Sequence, residues 1–294
     1  MRIMILAVAS LLALHTSAQK KATVSKADAL KQEASAQIQS RYEPYKTAAF
    51  SIWNFAEVGY KEVQSSSLLQ QTLKENGFTV ETGVAGMPTA FVASYGSGSP
   101  VIGILAEFDA LPGLSQTNAP VKTSAGKSAG HACGHHLFGV ASVASGIAIK
   151  ELIAQKKLTG TIKVFGCPAE EGGGGKIYLV REGFFKDVDV AIHWHPGSEN
   201  MLSTSSSLAN ISAKFRFYGI SAHASGAPER GRSSLDAVEA MNNMVNMMRE
   251  HVPQETRIHY VITRGGLAPN VVPDFAEVYY TVRNPKKDVL QPIF

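Results

Sequence analysis

The chain has 294 residues, of which 45% are hydrophobic and 18% are charged. That balance excludes a disordered protein and supports a sizeable core. With 28 Lys and Arg against 24 Asp and Glu, the net charge of +4 is too small and too scattered to indicate a nucleic-acid partner. Two cysteines exclude a disulfide framework. At roughly 100–200 residues per domain, we expect one or two domains.

The N-terminus has the layout of a secretory signal peptide. Arg2 precedes an apolar run over residues 3–14, and small residues lead up to Ala18. Because the run is shorter than the ~20 residues that a membrane-spanning helix needs, we predict a signal peptide over residues 1–18, cleaved after Ala18, and a secreted or periplasmic protein. An uncleaved membrane anchor is the alternative. No later apolar run approaches ~18 residues, so we expect no membrane contact after cleavage.

Residues 19–204 alternate helices and strands, which predicts an α/β domain with a mixed, mostly parallel sheet flanked by helices. Helices are predicted over 27–55, with a kink or restart at Pro44, over 65–75 and, buried, over 134–153; strands are predicted at 78–80, 90–94, 101–106, 161–165 and 188–192. Residues 205–294 predict a second, α+β domain with strands at 208–217, 258–262 and 275–282 and a helix over 233–249. This order is most of a split β-α-β unit. The helix carries Met241, Met244, Met247 and Met248, which we expect to face the core, with a partner surface as the alternative.

Histidine is the unevenly distributed residue, since six of the nine lie between His131 and His223. Residues 130–136 hold three histidines and the thiol of Cys133 at the start of the predicted buried helix. Imidazole and thiolate are soft metal ligands, and the Cys-x-His spacing of Cys133 and His135 can place both on one ion. The alternative is a buried cysteine beside histidines that cap the helix.

Acidic and histidine pairs follow three of the predicted strands. Glu170 and Glu171 precede four glycines, and adjacent carboxylates can divide metal binding from proton transfer. His193 and His195 end another strand, and spacing alone does not choose between them. The segment Glu107-Phe108-Asp109 follows a third strand and could bridge metals or orient a ligand histidine. Because the carboxyl ends of parallel strands gather at one edge of a sheet, we expect these groups to converge. The alternatives are an acidic turn with a flexible loop for the glutamates and a loop acid that caps the following turn for Asp109.

Six motifs in order give the chain a resemblance to the M20 metallopeptidase and amidohydrolase family, and within it to the aminobenzoyl-glutamate utilisation branch. The motifs occupy residues 107–113, 130–136, 168–173, 194–196, 221–224 and 265–272. The resemblance implies a zinc-exopeptidase-like catalytic domain with two divalent metal ions, zinc or manganese. It also implies an inserted, ferredoxin-like satellite domain that forms a homodimer.

The resemblance also implies roles for single residues. Cys133, His135, Glu171 and His195 match metal ligands, which discounts His193. Glu170 matches the general base, and His223 matches a histidine that reaches the partner's site and stabilises the oxyanion. Asn270 and Arg283 match contacts to the substrate's carboxylate or amide, and Asp109 is expected to support the metal ligands. His136 stands where many relatives have an aspartate that supports the metal pair, so its role and the metal's identity stay open.

One departure concerns the end of the chain. The family's last metal ligand is a histidine that follows the satellite domain, and no residue up to Phe294 matches it. We therefore expect residues 19–204 to be the N-terminal part of the catalytic domain, without its closing segment, and residues 205–294 to be a satellite domain without its end. The resemblance implies hydrolysis of a small-molecule amide, an N-acyl or N-aroyl amino acid similar to aminobenzoyl-glutamate. The alternatives are an exported dipeptidase or carboxypeptidase of the same family, and a truncated, non-catalytic remnant that binds metal or partners without turnover.

Overall fold

The computed structural model describes residues 25–202, 204 and 206–294, so the predicted signal peptide lies outside the described residues. The chain divides between Glu199 and Asn200 into two compact units, whereas the predicted boundary lay at 204/205. We call them the first and second units.

The described part of the first unit contains the helices α1 (Lys26–Ser40), α2 (Tyr42–Phe55), α3 (Val63–Glu75), α4 (His135–Ala154) and α5 (Gly175–Arg181). The single helix predicted over 27–55 is two helices that meet at Arg41. Pro44 is not the break, because it lies in the first turn of α2, where a missing N–H costs no intrahelical hydrogen bond. The short helix α5 was not predicted, since four glycines precede Lys176 and glycine is a weak helix former.

The sheet of the first unit has the order β1-β2-β6-β3-β7. These strands are β1 (Thr79–Thr82), β2 (Phe91–Ser97), β3 (Val101–Ala106), β6 (Gly160–Gly166) and β7 (Val190–Ile192), and a separate pair is β4 (Leu111–Pro112) with β5 (Ala129–Gly130). The strand β3 pairs in parallel with β6 and β7, whereas β2 pairs antiparallel with β1 and β6. The sheet is therefore mixed, as predicted, with its pairings evenly divided. The parallel part, β6-β3-β7, gathers three carboxyl ends at one edge.

The helix α4 is the core helix of the first unit. By length and composition it could cross a membrane, so the expectation that no later apolar run reaches such a length was wrong. More than half of its apolar window is buried inside the unit, where Val143 and Ile147 pack with Ile104 and Val164. The apolar composition of α4 is thus accounted for by burial in the core. Gly146 allows the close approach, because a Cβ there would lie 2.5 Å from Cγ2 of Val164.

The second unit contains β8 (Ala209–Tyr218), α6 (Ser234–Met248), β9 (Arg257–Arg264), β10 (Phe275–Asn284) and α7 (Lys287–Ile293). Its antiparallel sheet has the order β8-β10-β9, in which β10 lies between the two strands that α6 connects, as in a split β-α-β unit. Val238 of α6 and Leu290 of α7 pack in one core with β10. Met241 joins that core, but Met244, Met247 and Met248 are 62%, 70% and 37% exposed, so the prediction that the methionines face the core was wrong for these three.

Candidate metal centre

The residues predicted at strand ends do converge in the first unit. Glu107 and Asp109 follow β3, Glu170 and Glu171 follow β6, and His193 and His195 follow β7. Cys133 and His135 lie at the start of α4. Because β3 lies between β6 and β7 in the sheet, the end of β3 is flanked by both other sets of side chains.

His135 lies in the middle of this cluster and its side chain is fully buried. Its Nδ1 is 3.0 Å from Oδ1 and 3.1 Å from the backbone oxygen of Asp109, so Nδ1 carries the donated proton and Nε2 is left to bind a metal. The Nε2 atom lies 3.2 Å from Oε2 of Glu107 and 4.0 Å from one oxygen each of Glu170 and Glu171. Distance to His135 therefore does not separate the predicted base, Glu170, from the predicted ligand, Glu171.

Asp109 holds two parts of the cluster together. Its Oδ1 accepts from His135, and its Oδ2 accepts from the backbone N–H of Glu171 at 2.9 Å. Of the two roles considered from the sequence, these contacts favour the orienting one, because both oxygens are used to fix neighbouring groups.

Two overlapping groups of side chains have the spacing of metal ligands. One is Cys133, His135 and His195, and the other is Glu107, His135 and Glu170; within each group the ligand atoms lie within 4.8 Å of one another. Cys133 Sγ is 3.3 Å from Nε2 of His195. The groups share His135, so they adjoin rather than form separate sites.

Glu107 was predicted from the sequence only as part of the candidate segment 107–109, without a role of its own. Its buried carboxylate accepts from Nζ of Lys176 and, at 3.0 Å, from Nε2 of His193. His193 thus binds Glu107 and lies outside the group of Cys133 and His195. The signal was present in the sequence, because Glu107 is the first residue after a buried strand and belongs to the same motif as Asp109.

The electrostatics of the cluster are those of a site with excess negative charge. Burial, followed by the nearby Glu171 and Glu170, raises the pKa of the Cys133 thiol to about 12. Burial and the Glu107 carboxylate raise the pKa of Glu170. Burial alone would lower the pKa of His135, but the contact with Asp109 and the other carboxylates outweighs it, and the pKa is raised. A divalent cation would compensate this charge and favour the thiolate.

The polar atoms at the middle of the cluster fit a metal ion. Glu107 Oε2, His135 Nε2 and Glu171 Oε1 are buried and have no hydrogen-bond partner among the described residues. Buried polar atoms are normally paired, and one or two cations among these three atoms would satisfy them. Sulfur and imidazole donors suit zinc, and the carboxylates also suit manganese.

His136 has a different environment from its neighbour His135. Its ring packs edge-on against Trp53, with the two ring centroids 4.8 Å apart, and its centroid lies 5.3 Å from that of His131. Burial, with the nearby His135, lowers its pKa to about 4, so it is neutral. No hydrogen bond from His136 to a ligand is found in the described chain, and its predicted supporting role stays a prediction.

In the second unit, His223 and Asn270 lie on adjacent segments. His223 forms an isolated β-bridge with Val271, and the N–H of Ala224 donates to the oxygen of Asn270 at 3.0 Å. Nδ1 of His223 accepts from the N–H groups of Ser225 and Gly226 at 3.2 and 3.0 Å. The proton of the neutral ring therefore sits on Nε2, which is left as a hydrogen-bond donor.

Arg283 does not lie near His223 and Asn270. It is exposed near the end of β10, opposite Asn210 of β8 and Arg257 of β9. The segment of His223 adjoins the other end of that sheet, roughly eight residues or ~27 Å away along the strand.

Comparisons with known proteins agree with these features. The peptidase dimerisation domain of the M20 family matches residues 209–293. A p-aminobenzoyl-glutamate hydrolase subunit of Escherichia coli is 44% identical over 261 residues, which are 87% of this chain and 54% of that protein. The chain therefore resembles the M20 family over most of its length, and residues 209–293 match that family's dimerisation domain. The Xaa-Arg dipeptidase of Mus musculus is 30% identical over 274 residues, 89% of this chain and 60% of that protein. The chain thus spans about half to three fifths of the length of these relatives.

Solved structures of M20 proteins show the same fold. An aminobenzoyl-glutamate utilization protein from Klebsiella pneumoniae superposes with a TM-score of 0.62 at 20% identity, covering 89% of this chain and 72% of that one. A dinuclear metal binding peptidase of the M20 family from Bacillus subtilis superposes with a TM-score of 0.56 at 23% identity, covering 87% and 67%. At these identities the likeness concerns the fold alone.

Proposed function

We propose that this chain is part of a metal-dependent amidohydrolase that cleaves the amide bond of an N-acyl or N-aroyl amino acid. The observation that carries the proposal is the set of three buried, unpartnered atoms of Glu107, His135 and Glu171, which suits one or two divalent cations. The 44% identity with a p-aminobenzoyl-glutamate hydrolase subunit supports the choice of reaction and of substrate class.

The proposed reaction uses two kinds of group in the first unit. Cys133, His135, Glu171 and His195 would hold the metal pair, with Glu107 as a further candidate ligand. Zinc or manganese bound there would acidify water and polarise the scissile carbonyl. Glu170 has a partly exposed side chain, so it can reach a water molecule, take its proton and pass that proton to the leaving amine.

His223 is the proposed oxyanion donor, supplied by the partner subunit. This role is supported by the tautomer of the ring. Because Nδ1 accepts from two backbone N–H groups, the proton of the neutral ring lies on Nε2. A donor fixed in advance stabilises the developing negative charge on the carbonyl oxygen at no reorganisation cost. Asn270, on the neighbouring segment, is the proposed contact to the substrate's amide or carboxylate from the subunit that supplies His223. Arg283 is the proposed carboxylate contact from the other subunit, because its planar guanidinium matches a carboxylate.

A substrate panel tests the proposal. The purified chain, loaded with Zn²⁺ or Mn²⁺, is assayed on p-aminobenzoyl-glutamate, hippurate and dipeptides ending in arginine. We expect a higher kcat/KM on the aroyl amino acids and loss of activity after treatment with a chelator. Preference for the dipeptides would indicate the peptidase alternative. Stoichiometric metal binding without turnover of any amide would indicate the non-catalytic alternative.

The proposed homodimer is supported by exposed apolar side chains in the second unit. Met244 and Met247 lie on α6, and Tyr260 and Ile262 lie on β9, which is an edge strand of the sheet. Exposed apolar rows and unpaired edge strands are typical of association surfaces. Light scattering should give the mass of two chains, and the double variant Met244→Glu, Met247→Glu should be monomeric. Val121→Glu, an exposed apolar residue of the first unit, is the matched control and should stay dimeric.

Export to the periplasm or the medium is proposed from the predicted signal peptide. Expression in a Gram-negative host followed by N-terminal sequencing tests it. We expect Gln19 as the first residue of the protein recovered from the periplasm. A protein that keeps Met1 and partitions with membranes would instead support the uncleaved anchor.

A further inference from the structure

The segment that carries Glu170 and Glu171 begins with a strained residue. Ala169 has φ 55, a left-handed conformation that residues with a Cβ rarely adopt. Its oxygen accepts from the N–H groups of Gly173 and Gly174 at 3.0 and 2.8 Å, which closes a tight loop. A strained conformation at such a place persists only when its surroundings fix it.

Glu62 is the side chain that fixes Ala169. Its Oε1 accepts from the N–H of Ala169 at 2.8 Å, and its Oε2 accepts from the hydroxyl of Thr89 at 2.9 Å. Glu62 is fully buried, and no Lys, Arg or His of the described ranges forms an ion pair with it. Burying an unpaired carboxylate is costly, so a hydrophobic or neutral residue would be the stable choice if packing alone mattered.

The residues just before Glu62 contact the same loop. The hydroxyl of Tyr60 donates to the oxygen of Gly173 at 2.7 Å. Gly59 lies so close to Ala169 that a Cβ at position 59 would be 2.9 Å from the Cβ of Ala169. Together with Asp109, which accepts from the N–H of Glu171, these contacts hold the loop at both ends and on one side.

We propose that Glu62 is a positioning residue, which holds Ala169 in its strained conformation and thereby sets the directions of the Glu170 and Glu171 carboxylates. The inference rests on the proposed function for its catalytic consequence, but the hold on the loop does not depend on it. The role is one of hydrogen-bond geometry rather than of charge, because both oxygens of Glu62 are used as acceptors from neutral donors.

Two substitutions separate geometry from charge. In Glu62→Gln the amide oxygen can accept from Ala169 while the amide nitrogen donates to the Thr89 oxygen, so both hydrogen bonds persist without the charge. Glu62→Ala removes both. Leu152→Ala, at a fully buried position near the end of α4, is the control for a general loss of stability. Thr89→Val keeps the volume and removes a single donor, and it replaces Glu62→Ala as the test variant if that protein does not fold.

The first measurement is amide hydrogen exchange of the metal-free protein over residues 169–174. The second is Zn²⁺ affinity by competition with a chelating dye, and the third is kcat and KM. For Glu62→Ala we expect faster exchange in this loop, Zn²⁺ affinity lower by about 10–100-fold and a comparable fall in kcat with little change in KM, the usual cost of losing an outer support. Glu62→Gln should keep all three properties near those of the wild type.

Three outcomes would overturn the proposal. Glu62→Gln could behave like Glu62→Ala, which would assign the effect to charge. Leu152→Ala could speed exchange in the loop equally, which would assign it to stability. Glu62→Ala could also leave the loop unchanged. Exchange in the metal-free protein needs neither metal nor substrate, so a failure of the proposed hydrolase activity is distinguishable from a failure of this inference.

Discussion

The proposed functional residues of the two units differ in how their polar atoms are satisfied. In the first unit, His135 and Glu107 are buried and Glu171 is half-buried, and each keeps one buried atom without a hydrogen-bond partner in the described structure. In the second unit, His223 and Arg283 are exposed. Buried atoms without partners indicate a ligand that belongs inside the unit. Exposed groups indicate instead a role toward something outside the unit, such as a substrate or a second subunit.

The two regions also differ in charge. Four carboxylates, those of Glu107, Asp109, Glu170 and Glu171, surround the centre of the first unit with Lys176 as the nearby cation. The face of the second sheet that carries no helix presents five cations and one acid: Lys214, Arg216, Arg257, Arg264 and Arg283 with Glu277. An acidic centre attracts metal ions and a basic face attracts carboxylates. Four single substitutions test this division of roles.

Glu170→Gln should have the largest effect. Loss of a general base costs about 10²–10⁴-fold in rate, while the metal should stay bound because Cys133, His135, Glu171 and His195 are intact. Mass spectrometry checks that the metal is retained, and kcat on an aroyl amino acid checks that turnover is lost. If the Glu170→Gln protein is active, Glu170 is not the general base. If it has lost its metal, Glu170 is a metal ligand, which its position beside Glu107 and His135 also allows.

His223→Ala should lower kcat by about 10²–10³-fold, the usual cost of removing an oxyanion donor. Because the donor is proposed to act in the partner's site, co-expression with Glu170→Gln should restore about a quarter of wild-type activity. Half of the dimers would be mixed, and each would have one intact site. Activity of the mixture is compared with that of each variant alone. If confirmed mixed dimers recover no activity, His223 does not act in the partner's site. It then acts in the site of its own subunit or has no role in the reaction.

Arg283→Gln should raise KM by about tenfold or more with a small change in kcat, since a charge-assisted hydrogen bond to the substrate is lost. Arg257→Gln is the matched control, because Arg257 is the direct cross-strand neighbour of Arg283. The two variants are compared by steady-state kinetics on a substrate that has the carboxylate and on an analogue that lacks it. Equal effects of both variants would assign the effect to the general field of the basic face.

Glu277→Gln should have the smallest effect, on stability in acid. Hydrogen bonds from Arg216 and Thr263, opposed by burial, lower the pKa of Glu277 from 4.5 to about 2. Because the pKa is lowered in the folded state, its contribution to stability is present above pH 4.5 and is lost as the pH falls toward 2. Urea midpoints of the second-unit transition should fall less between neutral and acid pH in Glu277→Gln than in the wild type. The exposed Glu239→Gln on α6 is the control and should behave like the wild type.

Several features of the fold follow from local patterns. The strand predicted at 101–106 is β3 (Val101–Ala106), because a continuous apolar run is typical of a buried parallel strand. The predicted helix over 134–153 is α4 (His135–Ala154). The break between α1 and α2 was misplaced, since the strongest local signal, Pro44, is harmless in a first helical turn.

The contacts of the site were harder to predict. Glu107 and Lys176 are 69 residues apart in sequence, and the ion pair between them depends on the packing of α5 near the end of β3. Met244 and Met247 are exposed although methionine is typically a core residue, because the core beneath α6 is filled by Val238, Met241 and Val245. Neither outcome is encoded in a local pattern.

The sequence by itself determined the chemical types of the candidate ligands, the order of the motifs and the family resemblance, because these depend on residue identity and spacing. Only the tertiary structure decided which atoms meet. The strand β6 lies between β2 and β3 rather than beside its sequence neighbours, and that pairing brings Glu170 and Glu171 to His135. The tertiary structure likewise placed the buried Glu62 under Ala169, 107 residues away. Pairings over such distances depend on the closure of long loops and the packing of a whole core, which no local stretch of sequence specifies.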